Sequence, residues 1–220
     1  MIAGGLFVLG CLLFIYKIAN RLLPDKPLVA LLAVLLTAFY YPLSNWSLLG
    51  GEVSVLLLIV AAAVWLALRS LDEGRVIPGL YALLAISTFI RLDMGVPYLV
   101  ILGWLWLFDR RNRWKHFAWG VGLLALGLGI QTGLRYAYYG EWLPMTYYLK
   151  VVGMPLNFRL LRGWYTLQDF IGGLHVLAFV FAFTVLIFRR DRRWLLAALI
   201  VAGQIAYSVY VGGDAWEHRG

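Results

Sequence analysis

An all-α, polytopic transmembrane helix bundle of about eight apolar helices is the fold class this sequence predicts, and three observations predict it. Hydrophobic residues make up 63% of the 220, charged residues 14%, and mean hydropathy is +0.82, outside the range of soluble domains. The apolar residues come in continuous runs that never alternate, which argues against barrel strands. Backbone polar groups in hydrocarbon must be satisfied within their own segment, which continuous helices achieve. We read residues 1–220 as a single transmembrane domain whose long polar interruption is a loop at 136–169.

The runs lie at 2–16, 28–43, 53–68, 76–90, 94–108, 117–134, 170–188 and 194–211. A span needs roughly 20 residues, so those at 76–90 and 94–108 are marginal. Only Ile90–Asp93 separates them, which predicts a tight hairpin or two helices buried among neighbours. Pro27, Pro78 and Pro97 lie near the starts of runs, where a missing N–H costs little. Pro42, Pro144 and Pro155 break helix at one edge of the bundle or in the polar loop. Gly120, Gly122, Gly127, Gly129 and Gly133 in the sixth run read as small residues that let helices approach. Cys11, the only cysteine, has no disulfide partner and reads as a small packing residue.

Lys and Arg in the connections set the orientation, because short cytoplasmic loops collect them. Thirteen of the 19 fall in the connections after the first, third, fifth and seventh runs: Lys17, Arg21 and Lys26, then Arg69 and Arg75, then Arg110, Arg111, Arg113 and Lys115, then Arg189, Arg190, Arg192 and Arg193. The other six are spread over far more loop. Those inner connections hold five carboxylates, against six outside, so the inner side carries the whole formal charge of +8. The excess is a topology signal, and no basic face remains for nucleic acid. This orientation puts the 136–169 loop and the C-terminal VGGDAWEHRG (211–220) outside.

The loop carries Glu141, Lys150, Arg159, Arg162 and Asp169 among nine aromatic residues, and aromatics with a polar tip settle where hydrocarbon meets water. Within it, 143–152 and 158–170 read as short amphipathic helices lying at the headgroup level. Leu160, Leu161, Trp164 and Leu167 form the apolar face of the second, with Arg159, Arg162 and Gln168 elsewhere.

Arg91 and Asp93 flank the two marginal spans, where charge is expensive unless paired or functional. Two readings stand: a structural ion pair, or an Arg91 that faces a water-filled cavity and binds an anion. Asp214, Glu217, His218 and Arg219 follow Gly212-Gly213, a pair that lets backbone approach a ligand closely; the same patch also reads as a solvated helix end. No spacing matches a metal-ligand motif. His116, in a basic loop, reads as surface charge, and His175, inside the seventh run, as a hydrogen-bonded core residue. Asn45-Trp46-Ser47 is formally a glycosylation sequon, too close to a membrane end to carry weight.

Four stretches together resemble the GT-C superfamily of polytopic glycosyltransferases, especially bacterial members such as the mycobacterial terminal arabinofuranosyltransferases. They are WSLLGGE (46–52), RLD (91–93), YGEWLPMTYYLK (139–150) and YVGGDAWEHR (210–219). Leu92 stands where that family has Pro, Met145 where it has Asn, and Gly50-Gly51 where it has Gly-Leu. Order and spacing match over the whole chain.

The resemblance implies sugar transfer from a polyprenyl-phosphate donor to a glycan or protein acceptor at the outer face of a bacterial plasma membrane. It implies phosphate contact by Arg91, Lys150 and Arg219, and orientation of sugar or acceptor by Glu52, Asp214 and His218, with Asp93, Glu141 and Tyr147 also binding substrate. It leaves a divalent metal open and supplies no other cofactor. The family's catalytic Asp lies in a large external loop between its first two spans, and no such loop occurs here. We therefore expect a fragment that starts near the second span, lacks its general base and is inactive alone. Met1, placed outside without a charged segment, and Gly220, with nothing after the polar patch, fit that expectation. Lys150 or Tyr147 is expected within about 12 Å of Asp214 or Arg219, a gap that one bound phosphate sugar and its waters bridge. The rival class is a non-enzymatic flippase or transporter subunit, which would favour charge at mid-membrane and broken helices in paired halves.

Overall fold

The computed structural model describes residues 2–172 and 191–213, leaving aside the side chains of Thr146, Leu149 and Lys150. Ten α-helices are described: α1 (Ile2–Leu22), α2 (Pro27–Ala38), α3 (Tyr41–Leu48), α4 (Val53–Glu73), α5 (Pro78–Ile90), α6 (Gly95–Phe108), α7 (Arg113–Tyr139), α8 (Met145–Lys150), α9 (Leu156–Gly172) and α10 (Arg192–Val211). A 3-10 turn, Leu92–Met94, joins α5 to α6. No strand occurs among the described residues, as the unbroken apolar runs require. The chain falls into two compact units, Met1–Gly127 and Leu128–Gly220, and α7 runs through the boundary.

Four helices, α1, α4, α7 and α10, are long and apolar enough to cross a membrane, and α2 with α3 adds a fifth if the bent pair is one span. At 1.5 Å per residue, the 21 residues of α4 reach about 31 Å, the thickness of a bilayer's hydrocarbon. The bend between α2 and α3 is 52° and falls just before Pro42, which restarts a helix more than it ends one. Pro27 and Pro78 occupy the first turns of α2 and α5. Gly74 closes α4 in the left-handed conformation at φ 60°. Asp191 caps α10 by accepting a hydrogen bond from the Arg193 N–H.

In the first unit, α1 packs on α2 and α4, and α4 packs on α5 and α6. The two helices too short to span lipid are its core. Leu80, Tyr81 and Leu84 of α5 and Tyr98, Ile101 and Leu105 of α6 are fully buried. By contrast α1 and α2 expose Leu6, Leu9, Leu31 and Leu36, the pattern of helices whose outer face meets lipid. Cys11 is fully buried, as a small packing residue should be. Of the five glycines in the sixth run, Gly120 meets Leu102, and Gly127 meets Ala85 and Phe89. Gly122, Gly129 and Gly133 have nothing within 4 Å among the described residues, so the close contacts described there belong to two of them.

Pairings across the first unit fix an up-and-down order. Arg21 bonds Asp72 at 2.7 Å, joining the end of α1 to the end of α4, and Asn112 donates to the Gly74 carbonyl at 2.9 Å beside them in sequence. At that end Lys17 lies over the rings of Phe14 and Trp65, and Arg69 over Trp65, within 5.1–5.4 Å. Gly4 and Ser47 meet so closely that a Cβ on Gly4 would overlap the Ser47 carbonyl, and there Glu52 faces Arg91. Basic connections therefore gather at one end of the unit and the Glu52–Arg91 region at the other.

The second unit pairs α9 with α10. The face α9 buries is Arg159, Gly163 and Thr166, whereas Leu160, Leu161 and Trp164 are 40–52% exposed. The stripe read from sequence as the apolar face is real, and its Leu160, Leu161 and Trp164 lie off the face that meets α10. In lipid an apolar face gains little from burial against protein, while small and polar residues gain close packing and hydrogen bonds. The span expected at 170–188 and His175 lie, from 173 onward, outside the described residues.

Candidate functional site

Three of the residues singled out from sequence meet at one end of the first unit. Arg91 terminates α5 in extended conformation, and Asp93 sits two residues on in the 3-10 turn. The guanidinium grips Asp93 through two bonds, Nε to Oδ1 at 3.0 Å and Nη2 to Oδ2 at 2.7 Å. Its Nη1 reaches Glu52 Oε1 at 3.2 Å, across 39 residues of sequence, from the turn that leads into α4. The side chains of Arg91 and Glu52 are 43% and 47% exposed, and that of Asp93 is 19% exposed.

In this arrangement Arg91 is ion-paired on two sides through three of its five N–H groups. The guanidinium has two carboxylates on it, so the cluster carries one net negative formal charge and presents acceptor oxygens. Such a cluster suits hydroxyl groups, whose O–H donates to carboxylate oxygens. Screening by water keeps the pair's own contribution to stability to about 0–1 kcal/mol.

In the second unit Glu141 accepts a hydrogen bond from the Tyr148 hydroxyl at 3.0 Å, drawing α8 back onto the segment after α7. That bond, with the carboxylate's charge, raises the Tyr148 pKa above the ordinary tyrosine range. Tyr147 is exposed beside it, and Tyr136 stacks on Trp142 with ring centroids 4.3 Å apart. The aromatic character of the loop thus appears as an exposed cluster of Tyr136, Tyr138, Tyr139 and Trp142. Asp214, His218, Arg219 and the Lys150 side chain lie outside the described residues, and the expected approach of Lys150 or Tyr147 to the tail lies there with them. Gly212 and Gly213, at φ 86° and 71°, are described. Gly213 accommodates Thr166, and Gly212 lies against the Arg159 backbone, so the pair makes room for α9 where sequence suggested room for a ligand.

Two features escaped sequence reading. His116 is fully buried, not a surface charge. Its Nε2 lies 3.0 Å from Asp109 Oδ2, and its Nδ1 lies 2.7 Å from the hydroxyl of the fully buried Tyr81. With the Asp109 carboxylate accepting from Nε2–H, Nδ1 is left to accept from Tyr81, a tautomer assigned from the network. Asn112 donates to Asp109 and to the Gly74 carbonyl, so the network ties α5, the start of α7 and the end of α4. Burial works against ionising Asp109, yet the hydrogen bonds from Asn112 and His116 outweigh it and hold the carboxyl below its ordinary range. Tyr81 lies in the first turn of α5 and Arg91 follows its last residue, so this network and the Glu52 cluster stand at opposite ends of that helix.

The second missed feature is Arg159, 7% exposed on the face of α9 that meets α10. Its guanidinium carbon lies 4.9 Å from the centre of the Tyr210 ring. Sequence placed Arg159 only on the polar side of an amphipathic helix. The signal that would have found it is Gly163, four residues on, which marks the same face as the one needing close approach.

A family model described as dolichyl-phosphate-mannose-protein mannosyltransferase matches residues 1–131, which include Glu52, Arg91 and Asp93. No curated protein and no solved structure matches the chain.

Proposed function

Because this chain belongs to the dolichyl-phosphate-mannose-protein mannosyltransferase family, a family of membrane glycosyltransferases, we propose that it works on a polyprenyl-phosphate sugar at the extracytoplasmic face of a bacterial plasma membrane. The acceptor hydroxyl attacks the anomeric carbon, the new C–O bond forms as the bond from that carbon to the phosphate oxygen breaks, and polyprenyl phosphate leaves. A carboxylate base takes up the hydroxyl proton. Cationic groups stabilise the charge that grows on the departing phosphate. The acceptor is a cell-envelope glycan or a protein.

The observation that carries the reading is the Glu52–Arg91–Asp93 cluster, within the matched region and at the end opposite the basic connections. In the proposed site Arg91 holds Glu52 and Asp93 in place and their free oxygens orient sugar or acceptor hydroxyls. By the resemblance, Lys150, Tyr147, Glu141, Asp214, His218 and Arg219 also contact the substrate.

The test is transfer of labelled sugar from polyprenyl-phosphate donors by membranes carrying the protein as its cell makes it. Glu52→Gln should lower turnover by roughly 100-fold, in the range of a lost transition-state hydrogen bond in a preorganised site. Arg91→Lys, which cannot grip both carboxylates with one planar fork, should lower it about as far. Absence of transfer by the unaltered protein from any polyprenyl-phosphate sugar, or full activity of Glu52→Gln, would refute the proposal.

A further inference from the structure

Arg159 is the most unusual charge among the described residues. It is more than nine-tenths buried, and both Nε and Nη1 are sealed from solvent with no hydrogen-bond partner among the described residues. Buried donors of a charged group are rarely left unmet, and at membrane depth such groups are functional more often than not. The two orphaned atoms belong to different forks of the guanidinium, Nε to the side fork and Nη1 to the end fork, so its unmet capacity suits an anion with several oxygens.

The surroundings are built to hold the group still. Tyr210 supplies its ring face 4.9 Å away, and the backbone of Gly212 lies against the Arg159 backbone. Gly163 meets Val209 so closely that a Cβ there would lie 2.6 Å from the Val209 Cα and overlap its carbonyl oxygen. Gly213 meets Thr166 in the same way. Three glycines thus bring α9 and the end of α10 together around one arginine. Leu160, Leu161 and Trp164 meanwhile leave the opposite face of α9 to lipid.

We propose that Arg159 is the seat of the lipid-linked phosphate, a diester in the sugar donor and a monoester in the polyprenyl phosphate that leaves, deepening the function proposed above and resting on it for the identity of the donor. The resemblance read from the sequence assigned phosphate contact to Arg91, but Arg91 directs three of its N–H groups at two carboxylates, whereas Nε and Nη1 of Arg159 are unmet among the described residues. The two non-bridging oxygens of the donor's phosphodiester accept from these donors, as do the terminal oxygens of the polyprenyl phosphate that leaves, and the polyprenyl chain continues into lipid beside the exposed Leu160, Leu161 and Trp164.

The experiment measures binding apart from transfer. The full-length protein in neutral-lipid nanodiscs is titrated with labelled undecaprenyl phosphate, with undecaprenol, inorganic phosphate and phosphatidylglycerol as competitors. Expected is saturable binding of undecaprenyl phosphate that undecaprenol does not displace and that the two other phosphates displace only at 100-fold or higher excess. Arg159→Gln should bind at least 10-fold more weakly, and its ligand-free form should unfold at or above the wild-type temperature, since it removes a buried charge that has no ion pair among the described residues. Should Arg159→Gln fail to fold, Arg159→Lys keeps the charge without the forks and should bind several-fold more weakly.

Wild-type affinity in a folded Arg159 variant overturns the proposal. So does equal competition by inorganic phosphate or phosphatidylglycerol, which would make the seat one for any phosphate. Absence of binding by the wild type, with Asp214→Asn destabilising the protein, also overturns it and makes the partner an internal carboxylate. Binding that depends on Arg159 without any sugar transfer sinks the glycosyltransferase reading and keeps the seat. Transfer with an unchanged donor KM in Arg159→Gln does the reverse.

Discussion

Replacing His116 tests whether the buried Tyr81–His116–Asp109 chain holds the first unit together. His116→Leu removes the bonds at 2.7 and 3.0 Å and strands the hydroxyl of a fully buried Tyr81, while Asp109 keeps its donors from Asn112. A net hydrogen bond is worth about 1 kcal/mol and an orphaned buried polar group costs about 1–3 kcal/mol, so the loss should be about 2–5 kcal/mol. Tyr81→Phe alone strands only Nδ1 and should cost about 1–3 kcal/mol. The double variant leaves neither partner of that bond orphaned, so the two single effects should exceed the double by about 1–2 kcal/mol. Denaturant titration of the detergent-solubilised protein measures all four corners of this cycle. Additivity within about 0.5 kcal/mol would show that the two side chains do not act together, and the reasoning would fail.

Acid should weaken the same network. The Asp109 carboxyl has a folded pKa below its ordinary value, so its contribution is present above the unfolded pKa of about 3.9 and is lost as pH falls through the folded one. Unfolding midpoints of the wild type should drop more steeply below about pH 4 than those of Asp109→Asn, and parallel profiles would refute the assignment. Gly163→Ala should destabilise the α9–α10 pair by about 1–3 kcal/mol, because the added Cβ meets Val209 backbone that no side-chain rotation can move aside. Gly122→Ala, with nothing within 4 Å, is the control; equal thermal midpoints for the two variants would show that the close approach is not limiting.

The sequence by itself determined the solvent, the class of fold and much of the helix register. Continuous apolar runs and their length are local properties, so α1, α4, α7 and α10 were legible from them, as were the helix starts at Pro27 and Pro78. The grouping of Glu52 with Arg91 and Asp93 was legible as a shared end, because alternate crossing of a bilayer dictates which connections are neighbours. Which donor faces which acceptor was not, since Arg91 reads alike as an ion pair or an anion site until its bonds are placed.

Only the tertiary structure decided what α9 buries and what His116 does. Apolar periodicity in water marks the protein core, but in lipid it marks either core or bilayer, so the leucine stripe of α9 carried no information about the side that meets α10. Arg159 was therefore hidden in a polar face that became the packed one. His116 stands among basic residues in sequence, yet its environment is set by Tyr81, 35 positions earlier, and by the fold of the turn that presents Asp109. Burial of a polar residue depends on partners being brought to it, and that is a property of chain packing that no local pattern contains.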